Sequence, residues 1–146
     1  MIVEKLKQDA ALLDKQLTWL KLSCNACKAI TIKEHYSIEE FGQFEILCSR
    51  YSRGIDFLIR KIFRTIDEYE FENQGTLVDV VNNAHKRGLF DDIDELRIMK
   101  DVRNTIVHEY IEDALVDVFD EVLLYAEKLI VIIENTLRYI DTKTNL

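Results

Sequence analysis

The chain contains no proline and only four glycines in 146 residues. Nothing therefore locks φ or deletes a backbone donor inside an element, and long helices can run with few interruptions. Long apolar runs are also missing: none approaches the roughly 20 residues of a membrane span, so no membrane association is expected. The N-terminal run Met1-Ile2-Val3-Glu4-Lys5 lacks the apolar stretch and cleavage site of a signal peptide, and the expected location is the cytoplasm. Bases are the minority, with 19 Lys and Arg against 27 Asp and Glu and a net charge of −8. That excludes nonspecific coating of nucleic acid, which needs a basic surface, and leaves room for a local basic site. The three cysteines, Cys24, Cys27 and Cys48, are odd in number, and the CxxC pair has no second pair to complete a zinc site. Buried reduced thiols are the reading, and neither a metal nor another cofactor is expected.

What is present is apolar residue at helical spacing. Nearly half of the sequence, 48%, is hydrophobic, enough for one core in a single domain over 1–146. Val3, Leu6, Ala10, Leu13, Leu17, Leu20, Cys24 and Cys27 alternate at threes and fours, a heptad seam that predicts a first helix of about 25 residues. Ile30 to Tyr36 reads as a connector. Ser37-Ile38-Glu39-Glu40 is a capping box opening a second helix to about Tyr69, with Phe44, Leu47, Tyr51, Ile55, Leu58, Ile62 and Ile66 on its apolar face. Gly54 in its middle costs roughly 1 kcal/mol against alanine, so a close helix–helix approach is expected there. A third helix from Thr76 to Arg87 is capped by Gly88. The acids Asp91, Asp92, Asp94 and Glu95 mark the start of a fourth. A break at Ile111 to Asp113 precedes a final helix to about Ile140. Its Leu129-Ile130-Val131-Ile132-Ile133 run is apolar on all sides, so either that helix is central or its outer face meets another subunit. The fold class is all-α, an antiparallel bundle of four to five helices.

Histidine is scarce, three in the chain, and one of them stands in the densest chemistry: Arg103-Asn104-Thr105-Ile106-Val107-His108-Glu109-Tyr110. A guanidinium is a forked, permanently charged donor suited to phosphate, and an imidazole moves protons near neutral pH. At 100° per residue, Ile98, Met99, Val102 and Ile106 define the buried face of the fourth helix. Arg97, Asp101, Asn104 and His108 form a column almost opposite, and Arg103 lies on the flank. Arg103 and His108 fall about 140° apart on an ideal helix. To meet one phosphate, the helix must loosen after Val107 or the ligand must lie across its end.

On the second helix Arg50, Arg53, Arg60 and Arg64 fall within an arc of about 80°, with Lys61 beside them. This is either an ordinary solvated face or a phosphate track. The acids from Glu109 to Glu121 read as a solvated helix start or as a surface for a basic partner.

The Arg-polar-x-x-x-His motif at Arg103 to His108 resembles that of HEPN domains. Its extended form through Tyr110 is similar to the HepT-like toxins encoded beside minimal nucleotidyltransferases. Gly88-Leu89-Phe90, Met99-Lys100-Asp101-Val102 and Tyr51-Ser52-Arg53-Gly54-Ile55-Asp56 extend the resemblance, which covers roughly 44–140. It implies a HEPN-like helical homodimer and metal-independent RNA cleavage leaving a 2′,3′-cyclic phosphate, with Arg103, Asn104 and His108 as the catalytic set. It also implies a cognate nucleotidyltransferase antitoxin that adenylylates Tyr110. The alternative within the same resemblance is a non-catalytic nucleotide- or substrate-binding subunit of such a nucleotidyltransferase. The chemistry asks for a dimer independently, because one imidazole cannot be both the base for the 2′-OH and the acid for the leaving 5′-oxygen.

Overall fold

The computed structural model describes residues 1–30, 35–72, 75–108 and 118–145, with His108 described by its backbone alone. The described residues form five helices and no strand. Helix α1 spans Ile2–Lys28. Helix α2 runs from Ile38 to Tyr69 as Ile38–Phe57, a wider π turn at Leu58–Ile62, and Phe63–Tyr69. Helix α3 is Leu77–Lys86, α4 is Ile93–His108 and α5 is Phe119–Thr144. None is long and apolar enough to cross a membrane among the described residues. The expected break at 111–113 and most of the acidic run from 109 to 121 lie outside the described residues, as do positions 31–34 of the first connector.

The heptad seam is the buried face of α1: Leu6, Leu13, Leu17, Leu20, Cys24 and Cys27 are buried, and Ala10 packs partly against them. Ion pairs fix the helix directions. Lys21 pairs with Glu134 and Lys28 with Glu127, so α1 and α5 run antiparallel. Lys5 pairs with Glu68 while Arg50 reaches Ser23, so α1 and α2 are antiparallel too. It follows that α2 and α5 run in the same direction, flanking α1. Burial raises the thiol pKa values of Cys24 to about 11 and of Cys27 and Cys48 to about 12, so all three stay protonated at neutral pH.

Local signals set the helix ends. The Ser37 hydroxyl accepts from the Glu40 amide and the Glu40 carboxylate accepts from the Ser37 amide, the reciprocal arrangement of a capping box. A second box, Thr76 with Asp79, opens α3 and had not been read from the sequence. Gly88, at φ 76, closes the turn after α3 in a conformation that costs glycine little. At Gly54 a Cβ would stand 3.3 Å from the Leu129 Cδ2, so α2 and α5 do approach closely at that position. Helix α5 contacts α1, α2 and α4. Its apolar run is thus buried on more than one side, yet Leu124 and Val131 remain about half exposed on its outer edge.

One phase expectation for α4 is corrected. Leu96, Met99, Val102 and Ile106 form the buried stripe, whereas Ile98 is 42% exposed. Ile98 sits one residue, about 100°, behind Met99, which carries it off the core toward solvent.

Beneath α2's C-terminal half lies a charged cluster. Arg87 donates Nη1 to Asp67 at 2.5 Å and Nε to Glu70 at 3.1 Å. Asn83 donates to the other Asp67 oxygen at 3.3 Å, and the Tyr139 hydroxyl donates to Glu70. The Arg87 guanidinium is 8% exposed and the Asp67 carboxylate 1%. Burial alone would lower the Arg87 pKa, but the hydrogen bonds to Asp67 and Glu70 outweigh it and hold the group protonated. Burial, reinforced by the bond to Glu70, likewise pushes the Tyr139 phenol up to about 12. The cluster ties the end of α2 to the end of α3 and to α5.

Candidate functional site

Tyr51 anchors the site from below. Its buried hydroxyl donates to the Met99 carbonyl at 2.6 Å, locking the middle of α2 against α4. Desolvation raises the pKa of that phenol, so it remains a donor. One turn further along both helices, Asp56 meets Arg103. Nε and Nη2 of Arg103 both donate to Asp56 Oδ2, at 3.1 and 2.7 Å, and Nη1 donates to Asn104 Oδ1 at 3.3 Å. The Arg103 side chain is 29% exposed and that of Asp56 35%, so the guanidinium is aimed by its partner with part of its fork open to solvent.

Arg103 and Asn104 line a small cleft of about 30 Å³, together with Asp56, Arg60 and Lys100. Three cations against one carboxylate make the cleft positive on an acidic chain. Such a set is suited to an anion through charge-assisted hydrogen bonds, with Arg103 offering planar donors and Lys100 and Arg60 further positive charge. Asp56 and Lys100 were not singled out by sequence reasoning. Asp56 lies 47 residues from Arg103, and no local spacing announces that pair.

The expected outward column is present as far as it can be followed: Arg97, Asp101 and Asn104 are exposed, and Arg103 sits at the edge of the core. His108 is the last residue of α4, so the helix persists through the motif. Its side chain lies outside the described residues, as does Tyr110 altogether. Of the other histidines, His85 is tied to the Asp91 carbonyl at 3.0 Å and packs on Phe90, which gives it a structural task.

The arginine stripe on α2 is divided. Arg50 donates to the Trp19 carbonyl at 3.1 Å and to Ser23 Oγ at 2.7 Å, with its guanidinium over the Trp19 ring. Arg50 and Arg53 line a hollow with Gln16 and Trp19, whereas Arg60 and Arg64 line a groove on another part of the surface. The π turn at Leu58–Ile62 begins after Arg53 and contains Arg60, with Arg64 just beyond it. One extra residue in a turn moves the phase by about one residue, on the order of 100°. The stripe is therefore not continuous: Arg60 borders Arg103 in the cleft, while Arg50, Arg53 and Arg64 do not line it.

Compared with known proteins, the chain matches no family model, no curated protein and no solved structure.

Proposed function

We propose that this chain is a metal-independent endoribonuclease of the HEPN type, the toxin of a toxin–antitoxin pair, acting as a homodimer. The observation that carries the reading is the Arg103 guanidinium, aimed by Asp56 into a cleft that also holds Lys100, Arg60 and Asn104. In RNA cleavage by this route, a base takes the proton of the 2′-OH and the 2′-oxygen attacks the adjacent phosphorus. The P–O5′ bond breaks, and an acid protonates the departing 5′-oxygen, leaving a 2′,3′-cyclic phosphate and a 5′-hydroxyl. His108 of one copy serves as base and His108 of a second copy as acid. Arg103 meets the extra negative charge of the phosphorane with preorganised donors, and Asn104 holds the neighbouring oxygen or the imidazole. The exposed Leu124 and Val131 on α5, with Ile98 on α4, are apolar surface available to the second copy.

The regulatory partner is a minimal nucleotidyltransferase that adenylylates Tyr110, two residues from His108. An AMP there adds bulk and negative charge where substrate phosphate must bind. Expression of the chain alone should arrest growth, and co-expression of the neighbouring nucleotidyltransferase should relieve the arrest while adding one AMP to Tyr110 by mass spectrometry. Unimpaired growth would remove the toxin reading and leave the nucleotide-binding subunit in its place.

A further inference from the structure

We infer a second phosphate-binding site, for a single-stranded polynucleotide, in the groove that Lys5, Arg60, Lys61 and Arg64 form between α1, α2 and α3. The inference rests on the ribonuclease reading for its ligand class and extends that site along the strand. The groove encloses about 380 Å³, which falls within the ordinary range of ligand sites. Arg60 lines both this groove and the Arg103 cleft. The two are therefore neighbouring parts of one cationic surface, joined at a residue of the π turn.

Most of its cations are free to act. Among the described residues the Arg60 and Lys61 side chains have no ion pair or hydrogen bond, and the Arg64 side chain has only a 3.5 Å contact to the Gly75 carbonyl. This is notable in a chain where acids outnumber bases by 27 to 19. The carboxylate at the groove wall, Asp67, is already engaged by Arg87 and Asn83. Glu68 is paired with Lys5 at 3.3 Å in a half-exposed bridge that an incoming phosphate can replace.

The lining also limits the occupant. Val80 is its one apolar residue, so the groove has no surface for the apolar face of a partner helix. Arg60 and Arg64 are one turn apart, roughly 6 Å along the axis. They present charge in series along the groove, as a strand's backbone requires and a single small anion does not. Phosphate contacts of this kind position a strand without reading its bases.

The test is binding of a uniformly 2′-O-methyl oligonucleotide, which cannot be cleaved through its 2′-oxygen, followed by fluorescence anisotropy across a salt series. Two lost contacts at about 0.7 each should lower the salt slope of the Lys61→Ala/Arg64→Ala variant by ~1.4 and its affinity roughly 25-fold at 0.1 M salt. Arg53→Ala, on the other side of the π turn, should bind within about twofold of wild type. An unchanged slope and affinity in the double variant, or no binding by wild type, would overturn the inference. So would polyglutamate competing as well as the oligonucleotide, which would assign the groove to an acidic protein. The outcomes separate the two readings. Lost binding in the double variant with no RNA cleavage by wild type keeps the groove and rejects the nuclease. Cleavage with unaffected binding does the reverse.

Discussion

Arg103→Ala is expected to slow RNA cleavage by ~10²–10³-fold, the usual effect of removing one preorganised donor from developing oxyanion charge. The effect should exceed that range at low salt, because the substitution also releases Asp56. The carboxylate that now accepts two bonds from Arg103 would then repel the substrate phosphate from the cleft. Arg103→Lys should recover little, since one ammonium cannot reproduce the donor pair that a guanidinium offers. Arg103→Ala/Asp56→Ala should recover part of the loss, because the uncovered charge is gone. Loss of fold would not explain the result: a partly exposed ion pair contributes only about 0.2–1 kcal/mol. Single-turnover cleavage together with thermal melting separates the two effects. A rate within a few-fold of wild type would remove Arg103 from the reaction.

Arg87→Met should have the largest effect on stability. The Asp67 carboxylate is almost wholly buried, and its ion pair to Arg87 is buried with it. Removing one partner of a buried pair leaves an uncompensated charge and costs about 3–5 kcal/mol. Against a typical total of about 5–15 kcal/mol this is a large fraction, equivalent to a fall in Tm of ~10–20 °C for a chain of this size. Arg87→Met/Asp67→Asn should recover much of the loss, which separates the stranded charge from lost packing. A Tm for Arg87→Met within about 3 °C of wild type would contradict this account. The cluster also matters for the groove, since Arg87 is what neutralises the carboxylate at its wall.

Much of the fold was legible because its causes are local. The seam from Leu6 to Cys27, the capping box at Ser37, the glycine after α3 and the close approach at Gly54 each depend on a few residues of known preference. The π turn was not legible, for a definite reason. Ile55, Leu58, Ile59, Ile62, Phe63 and Ile66 are all buried, and their spacing is also that of an ordinary α-helix. Nothing in the pattern marks the wider turn, so phasing at a constant angle merged four arginines into one stripe.

The site divides in the same way. Arg103 and Asn104 were found because they lie within one short motif, and the exposed column through Arg97, Asp101 and Asn104 followed from helical geometry. Asp56, Lys100 and the place of Arg60 depend on α2 crossing α4, and only the tertiary structure brings them together. The exposure of Ile98 is a milder case, in which one residue of phase decides between core and surface.

The central claim is that His108, acting with Arg103, performs proton transfer on an RNA phosphodiester without a metal. The direct measurement is cleavage of single-stranded RNA in EDTA by wild type and by His108→Ala, with end-group analysis of the products and circular dichroism of both proteins. Wild type should yield 2′,3′-cyclic phosphate ends, and the folded variant should be slower by about 10²–10⁴-fold, the usual share of general acid–base catalysis. Equal cleavage by the variant, or wild-type activity that vanishes in EDTA, would contradict the account.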